Sequence, residues 1–185
     1  MIRYKKLAGI ILVVILFLIW GYFVWDMNVR YPNPEEKVLR PGEQALYQGL
    51  TLYAGDIEVY TREEFEELYE YSSGSDENGT YIVAEAVLEN NTEETIALSE
   101  NQPLYWVVEV GYKCHNASEY VSFQILNKEY SSITVLKPGD VMELKIPYYI
   151  NPIAATYDVI RKEDIRIVYS YYPTKNYILL NGQEE

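Results

Sequence analysis

Residues Leu7 to Trp25, LAGIILVVILFLIWGYFVW, form a run of nineteen residues without a charge. No other stretch limits so tightly what the chain can fold into. Coiled as a helix, the run spans roughly 28 Å, close to the hydrocarbon thickness of a bilayer. Arg3, Lys5 and Lys6 precede it, and no acid occurs before Asp26. Positive residues stay on the cytoplasmic side. The expected topology is therefore a cytoplasmic tip over residues 1–6, a transmembrane anchor over 7–25, and everything later outside.

A cleaved secretory signal shares the basic start and the apolar middle, but its exit carries small residues. Here the exit holds Trp20, Gly21, Tyr22, Phe23, Val24 and Trp25, which suit the membrane–water interface. A buried core helix is the third alternative, although the run is apolar all round and starts beside the N-terminus. Cys114 is the single cysteine, so no thiol near the run accepts a lipid. An uncleaved anchor is expected, with Leu7, Ile15, Trp20, Tyr22 and Trp25 meeting the bilayer.

Beyond the anchor about 160 residues remain, enough for one domain with a core of its own. The chain carries a formal charge of −13, and with Arg3, Lys5 and Lys6 set aside the rest carries −16. Such acidity disfavours nucleic acid and anionic lipid surfaces as partners. One cysteine allows no internal disulfide, so an exported domain must rely on its core, as suits a Gram-positive surface. Three sequons begin at Asn78, Asn90 and Asn116, each in a stretch read as a turn, and turn chemistry accounts for them.

Residues 26–43 are expected to be an extended tether, stiffened by Tyr31-Pro32-Asn33-Pro34, with the folded domain over 44–185. Alternating apolar residues predict short strands around Ala45–Gln48 and Leu50–Tyr60. Thr61-Arg62-Glu63-Glu64 is a capping box, and Phe65, Leu68 and Tyr69 follow on one stripe, so a helix is expected over 62–71. Tyr60 and Phe65 are spaced as a hydrophobic staple. The helix's Glu63, Glu66, Glu67 and Glu70 read as a solvated face. Asp76-Glu77-Asn78 lacks calcium-loop spacing.

Further strands are predicted at Thr80–Asn91, with Ile82, Ala84, Ala86 and Leu88 inward, and at Ile96 and Leu98. Others follow at Leu104–Val110, Val121–Ile125 after a polar loop over 113–119, Met142–Tyr148, Ile165–Tyr171 and Tyr177–Leu180. Lys137-Pro138-Gly139-Asp140 is a turn, and 151–163 a connection holding one helical turn. The pattern predicts a mainly β fold, an immunoglobulin-like antiparallel β-sandwich with one short helix.

The segments LENNTEETIALS, LKPGDVMELKIPYYI and DIRIVYSYYPTKNYILLN follow a basic-plus-apolar anchor. In that order they resemble the small immunoglobulin-like extracellular domains of uncharacterised membrane proteins and lipoproteins of Gram-positive, mostly clostridial, bacteria. The resemblance covers roughly residues 44–181 and implies fold and location only.

Chemistry is sparse. His115, the one histidine, adjoins Cys114, yet neighbours on an extended chain point apart. No metal site or cofactor motif stands out, so no catalytic or metal-ligating residue is assigned. Twenty tyrosines are the unusual feature, crowding the last third of the chain. Tyr149 and Tyr172 are the candidate recognition patch, because their neighbours claim the inward face. The expected function is a non-catalytic binding or assembly module of the cell envelope, meeting another envelope protein or a cell-wall glycan. The alternatives are an envelope enzyme or enzyme inhibitor with a surface cleft, or a ligand-sensing accessory subunit of a membrane complex.

Overall fold

The computed structural model describes residues 2–70, 79–98, 103–128 and 135–181, with side chains from residue 9 onward. The chain divides into two units, Met1–Glu35 and Glu36–Glu185.

The first unit is helix α1, Ile2–Arg30. Within its 22-residue stretch Gly9–Arg30 an 18-residue window reaches a mean hydropathy of 2.4, and none of that window is buried, so the helix is long and apolar enough to cross a membrane. It runs past the expected end at Trp25. Asp26 and Arg30 pair at 2.9 Å across one turn, and the chain stays helical until Pro32 forbids it. Downstream, Glu35–Leu39 is strand β1. The expected tether over 26–43 is thus divided between a helix end and a strand, and the folded unit starts nearer residue 36 than 44.

The second unit is a β-sandwich. One sheet has four strands in the order β2 (Gln44–Tyr47), β3 (Leu50–Thr61), β4 (Thr80–Glu89) and β9 (Val141–Ile150). The other has five, in the order β1, β11 (Thr174–Leu180), β10 (Ile165–Ser170), β6 (Val107–Val110) and β7 (Cys114–Ala117). A small ribbon pairs β5 (Ile96–Ala97) with β8 (Val135–Leu136). Among the described residues there are also three short helices, α2 (Arg62–Tyr69), α3 (Tyr120–Leu126) and α4 (Tyr157–Ile160).

The core lies between the sheets, and period-2 patterning puts it there. Ile82, Ala84, Ala86 and Leu88 of β4 and Met142, Leu144, Ile146 and Tyr148 of β9 face Val108, Ile165, Ile167 and Ile178. Turn chemistry sets the registers. Gln48 and Gly49 both have positive φ (50° and 86°), giving the tight β2–β3 hairpin the twist its strands need. Gly139 (φ 82°) follows Pro138 in the turn before β9, where Asp140 accepts from the Lys137 amide at 2.7 Å.

Helix α2 forms as its capping box predicts. The Thr61 hydroxyl accepts from the Glu64 amide at 3.3 Å, and the Glu64 carboxylate accepts from the Thr61 amide at 2.8 Å. The apolar stripe is narrower than expected: Phe65 is fully buried and Tyr69 half-buried, but Leu68 is exposed.

Two segments depart from the expected pattern. Val121, Phe123 and Ile125 alternate as in a strand but lie on helix α3. Five residues are too few to separate the two periods, since Val121 and Ile125 also share a helical face. The turn of helix is fixed by Phe123 and Leu126, which pack inward, and by Asn127, whose side chain bonds both the amide (2.9 Å) and the carbonyl (2.7 Å) of Lys145. The expected polar loop at 113–119 contains strand β7, an exposed edge with little need for alternation. Asn116 and Ser118 reach from there to the carbonyls of Tyr149 (2.7 Å) and Pro147 (2.8 Å). Together these side chains cover the open edge of β9, which would otherwise invite pairing with another chain.

Asn90 of the second sequon is a turn residue with its amide nitrogen committed to Glu94 (2.8 Å) and Leu136 (2.9 Å) carbonyls. It is fully buried, so no glycan attaches there. Residues 76–78 lie outside the described residues.

Strand β3 slips register against β4 between Ala54 and Ile57. Gly55 sits in that bulge, where a Cβ would come within 2.6 Å of the Glu85 Cβ and 2.8 Å of its carbonyl oxygen. Backbone cannot yield as a flexible side chain does. Gly55→Ala is expected to lower stability by about 2 kcal/mol in urea denaturation, and an unchanged midpoint would count against the bulge.

Candidate binding cleft

At one end of the sandwich three connections converge: the β2–β3 hairpin, the 3-10 turn Pro103–Tyr105 leading into β6, and the β10–β11 hairpin. They enclose a cleft of about 490 Å³ lined by Leu46, Tyr47, Gln48, Tyr105, Trp106, Val168, Tyr169, Ser170, Tyr171, Tyr172 and Asn176. The volume is that of an ordinary small-ligand site.

The floor is an interlocked aromatic group. The rings of Tyr47 and Trp106 meet edge to face at 5.3 Å, Trp106 lies 5.5 Å from Tyr169, and Tyr47 is 6.0 Å from Tyr169. Trp106 donates its indole N–H to the Tyr47 hydroxyl at 3.1 Å, and the Gln48 amide donates to the same oxygen at 3.3 Å. Trp106 and Tyr47 are buried, so this floor belongs to the core as much as to the cleft.

The rim is open, with Leu46 78%, Tyr105 59% and Tyr172 84% exposed. Tyr171 forms a wall whose position is fixed from behind. Its hydroxyl donates to Glu109 at 3.1 Å and lies 3.0 Å from His115 Nε2, while Lys175 holds Glu109 at 2.7 Å. These three polar residues stand outside the cleft lining and steady it. Ordered walls reduce the entropy lost on binding.

Burial acts strongly on the tyrosines here. It raises the pKa of Tyr47, against a smaller opposing pull from its bond with Trp106, and it raises those of Tyr169 and Tyr148. For Tyr171, burial and then the neighbouring Glu109 charge push in the same direction. A phenol with a raised pKa in the folded state stabilises the fold fully below its unfolded value. That stability is lost as pH climbs through the folded value. The urea midpoint is thus expected to hold up to about pH 9 and to fall steadily beyond about pH 10, with the tyrosinate absorbance of these buried phenols appearing together with unfolding. A flat midpoint across that range would contradict the burial of these hydroxyls.

Of the two tyrosines singled out from sequence, Tyr172 lines the cleft and Tyr149 does not. Tyr149 does face away from the main core, as its neighbour Tyr148 faces in. The outer side of its sheet is covered, however, by α2 and the end of α3. Tyr149 packs there with Phe65, Tyr81 and Leu126, its hydroxyl is buried, and Gly79 presses on its ring. It is a packing residue on the opposite sheet from Tyr172.

Tyr47, Tyr105, Trp106, Tyr169 and Tyr171 join Tyr172 in the cleft lining, beyond the patch expected from sequence. A sequence signal for them exists: aromatic residues stand beside three turn markers, Gln48-Gly49, Pro103 and Pro173. Cys114 and His115 point to opposite faces of β7, the thiol toward the core and the imidazole to solvent, and burial raises the thiol pKa. Along α1, Ile15, Trp20, Tyr22 and Trp25 are exposed, while the side chains of Arg3, Lys5, Lys6 and Leu7 lie outside the described ones.

No protein-family model matches the chain. Nor does any curated protein match it in sequence. Solved structures do match. An uncharacterised β-sandwich protein from Clostridium difficile 630 superposes with a TM-score of 0.50 and 12% identity, covering 80% of this chain and 97% of that one. A conserved hypothetical protein from Bacillus anthracis gives a TM-score of 0.46 and 19% identity, covering 74% and 92%. A functionally unknown protein from Listeria monocytogenes EGD-e gives 0.46 and 12%, covering 77% and 82%. The class is a mainly β sandwich, here with several antiparallel sheets and a few helices, and the Clostridium protein is a β-sandwich too.

Proposed function

We propose that the chain is a single-pass membrane protein that displays an immunoglobulin-like sandwich outside the cell as a non-catalytic binding module of a Gram-positive envelope. The N-terminus is cytoplasmic in this reading. Supporting it are the unburied apolar helix, its aromatic exit at Trp20–Trp25, and the basic residues before it.

The immunoglobulin-like reading is supported by strand order. Taking β3, β4 and β9 as strands A, B and E, and β6, β7, β10 and β11 as C, C′, F and G, the pairings are A-B-E and C′-C-F-G. In that scheme the cleft lies where the B–C and F–G connections meet, the end that variable immunoglobulin domains use for binding.

The observation that carries the function is the cleft itself, an aromatic hollow held open on a rigid scaffold. The test is retention of the full-length chain, reconstituted in nanodiscs, on purified cell-wall sacculi. Tyr105→Ala combined with Tyr172→Ala is expected to abolish retention, while Tyr112→Ala, fully exposed and outside the cleft, leaves it unchanged. Equal retention of the unaltered chain and both variants would remove the cleft from any role in binding.

A further inference from the structure

Charged residues number 43 in this chain of 185, yet among the described residues none lines the cleft. Every lining side chain is aromatic, aliphatic, amide or hydroxyl. A site for an ionic ligand would place a compensating charge within reach, because an unpaired buried ion is costly. The ionic groups behind the Tyr171 wall, Glu109 and Lys175, are instead engaged with each other, and Glu109 also with the Tyr171 hydroxyl. The strong negative charge of the chain further disfavours polyanions at this end. The occupant is therefore neutral.

Its shape follows from the walls. Tyr105 and Tyr172 rise from the rim with their rings largely exposed, above a floor of three more aromatic residues. Ring faces favour a ligand with flat patches of C–H bonds. Around them stand the side chains of Gln48, Ser170 and Asn176, groups that both donate and accept. The Asn176 amide is oriented by its bond to the Thr174 carbonyl at 3.0 Å. A ligand matching such a border must itself carry donors and acceptors at its edge and C–H patches on its faces. Sugar rings combine these properties. A proline-rich peptide, the other ligand that aromatic grooves accept, offers only acceptors along its backbone.

We infer that the cleft takes a neutral saccharide chain, stacked on Tyr105 and Tyr172 and edged by Gln48, Ser170 and Asn176. The inference rests on the binding-module reading and adds the ligand's chemical class to it. The test titrates the full-length chain in nanodiscs with chitotetraose, cellotetraose and maltotetraose, alongside decaproline and inorganic polyphosphate, using calorimetry. At least one tetrasaccharide is expected to bind with an affinity that salt barely changes. Tyr172→Ala, at a position too exposed to unfold the domain, is expected to weaken it about tenfold, and Tyr112→Ala to leave it alone.

If none of the three saccharides binds while sacculi still retain the chain through Tyr172, the ligand class is overturned and the binding module stands. Binding of decaproline or polyphosphate in place of the saccharides, with the same loss in Tyr172→Ala, likewise overturns it. Loss of both saccharide binding and wall retention overturns both readings.

Discussion

Trp106→Ala is expected to lower the stability of the folded unit by about 4 kcal/mol and its melting temperature by about 10 °C. The indole is 2% exposed, contacts Tyr47 and Tyr169 ring to ring, and donates a hydrogen bond that ties the β6 entry to the β2–β3 hairpin. Truncation leaves a cavity at the junction of the two sheets and strips the Tyr47 hydroxyl of a partner. Trp106→Phe separates these effects: most of the ring volume stays, the N–H goes, and a loss of about 1.5 kcal/mol is expected. Leu68→Ala, at an exposed position, serves as the reference and stays within about 0.5 kcal/mol. Thermal and urea denaturation of the three variants decide the matter. A Trp106→Ala protein as stable as the Leu68→Ala protein would mean that the floor of the cleft is not part of the core.

Phe65→Ala is expected to cost a similar amount, about 4 kcal/mol, for a separate reason. Phe65 is fully buried on the outer side of the four-stranded sheet, stacked on Tyr81 with centroids 3.9 Å apart and planes within 4° of parallel. Tyr69 lies 4.9 Å away and Tyr60 closes the other side at 6.4 Å, the staple that the sequence spacing requires. Without Phe65, α2 loses the residue that buries it against the sheet. The Tyr149 hydroxyl, now buried, should gain access to water, which tyrosine-specific nitration reads directly. The Tyr47–Trp106–Tyr169 floor belongs to the other cluster, so wall retention should persist at temperatures where the variant is folded. Loss of retention there would couple the two clusters in a way their packing does not suggest.

These two residues show what was legible in the sequence and what was not. The helix behind Phe65 could be read because capping box, stripe and staple agree within ten residues. Strand interiors such as Ile82–Leu88 and Met142–Tyr148 were readable because alternation is enforced wherever one face is buried. Strand β7 and helix α3 were not, since an exposed edge lacks alternation and a seven-residue helix is too short to show its period. The cleft was legible only in part. Tyr172 stands out as an outward neighbour of a turn, but the cleft draws on segments more than fifty residues apart in the chain, joined only by the fold. Tyr149 has the same local signature and a different fate, because a helix predicted from its own residues covers the face that Tyr149 occupies. Period-2 reasoning gives the side of a sheet, not what lies on that side.

The central claim, a membrane-held module facing outward, is tested most directly on intact protoplasts of a Gram-positive host expressing the full chain with an N-terminal tag. After protease is added outside, residues 36–185 should be digested, while the tag stays protected in a membrane fraction that resists alkaline extraction. Recovery of an N-terminally processed soluble product in the medium, or of a domain protected until the cells are lysed, would contradict it.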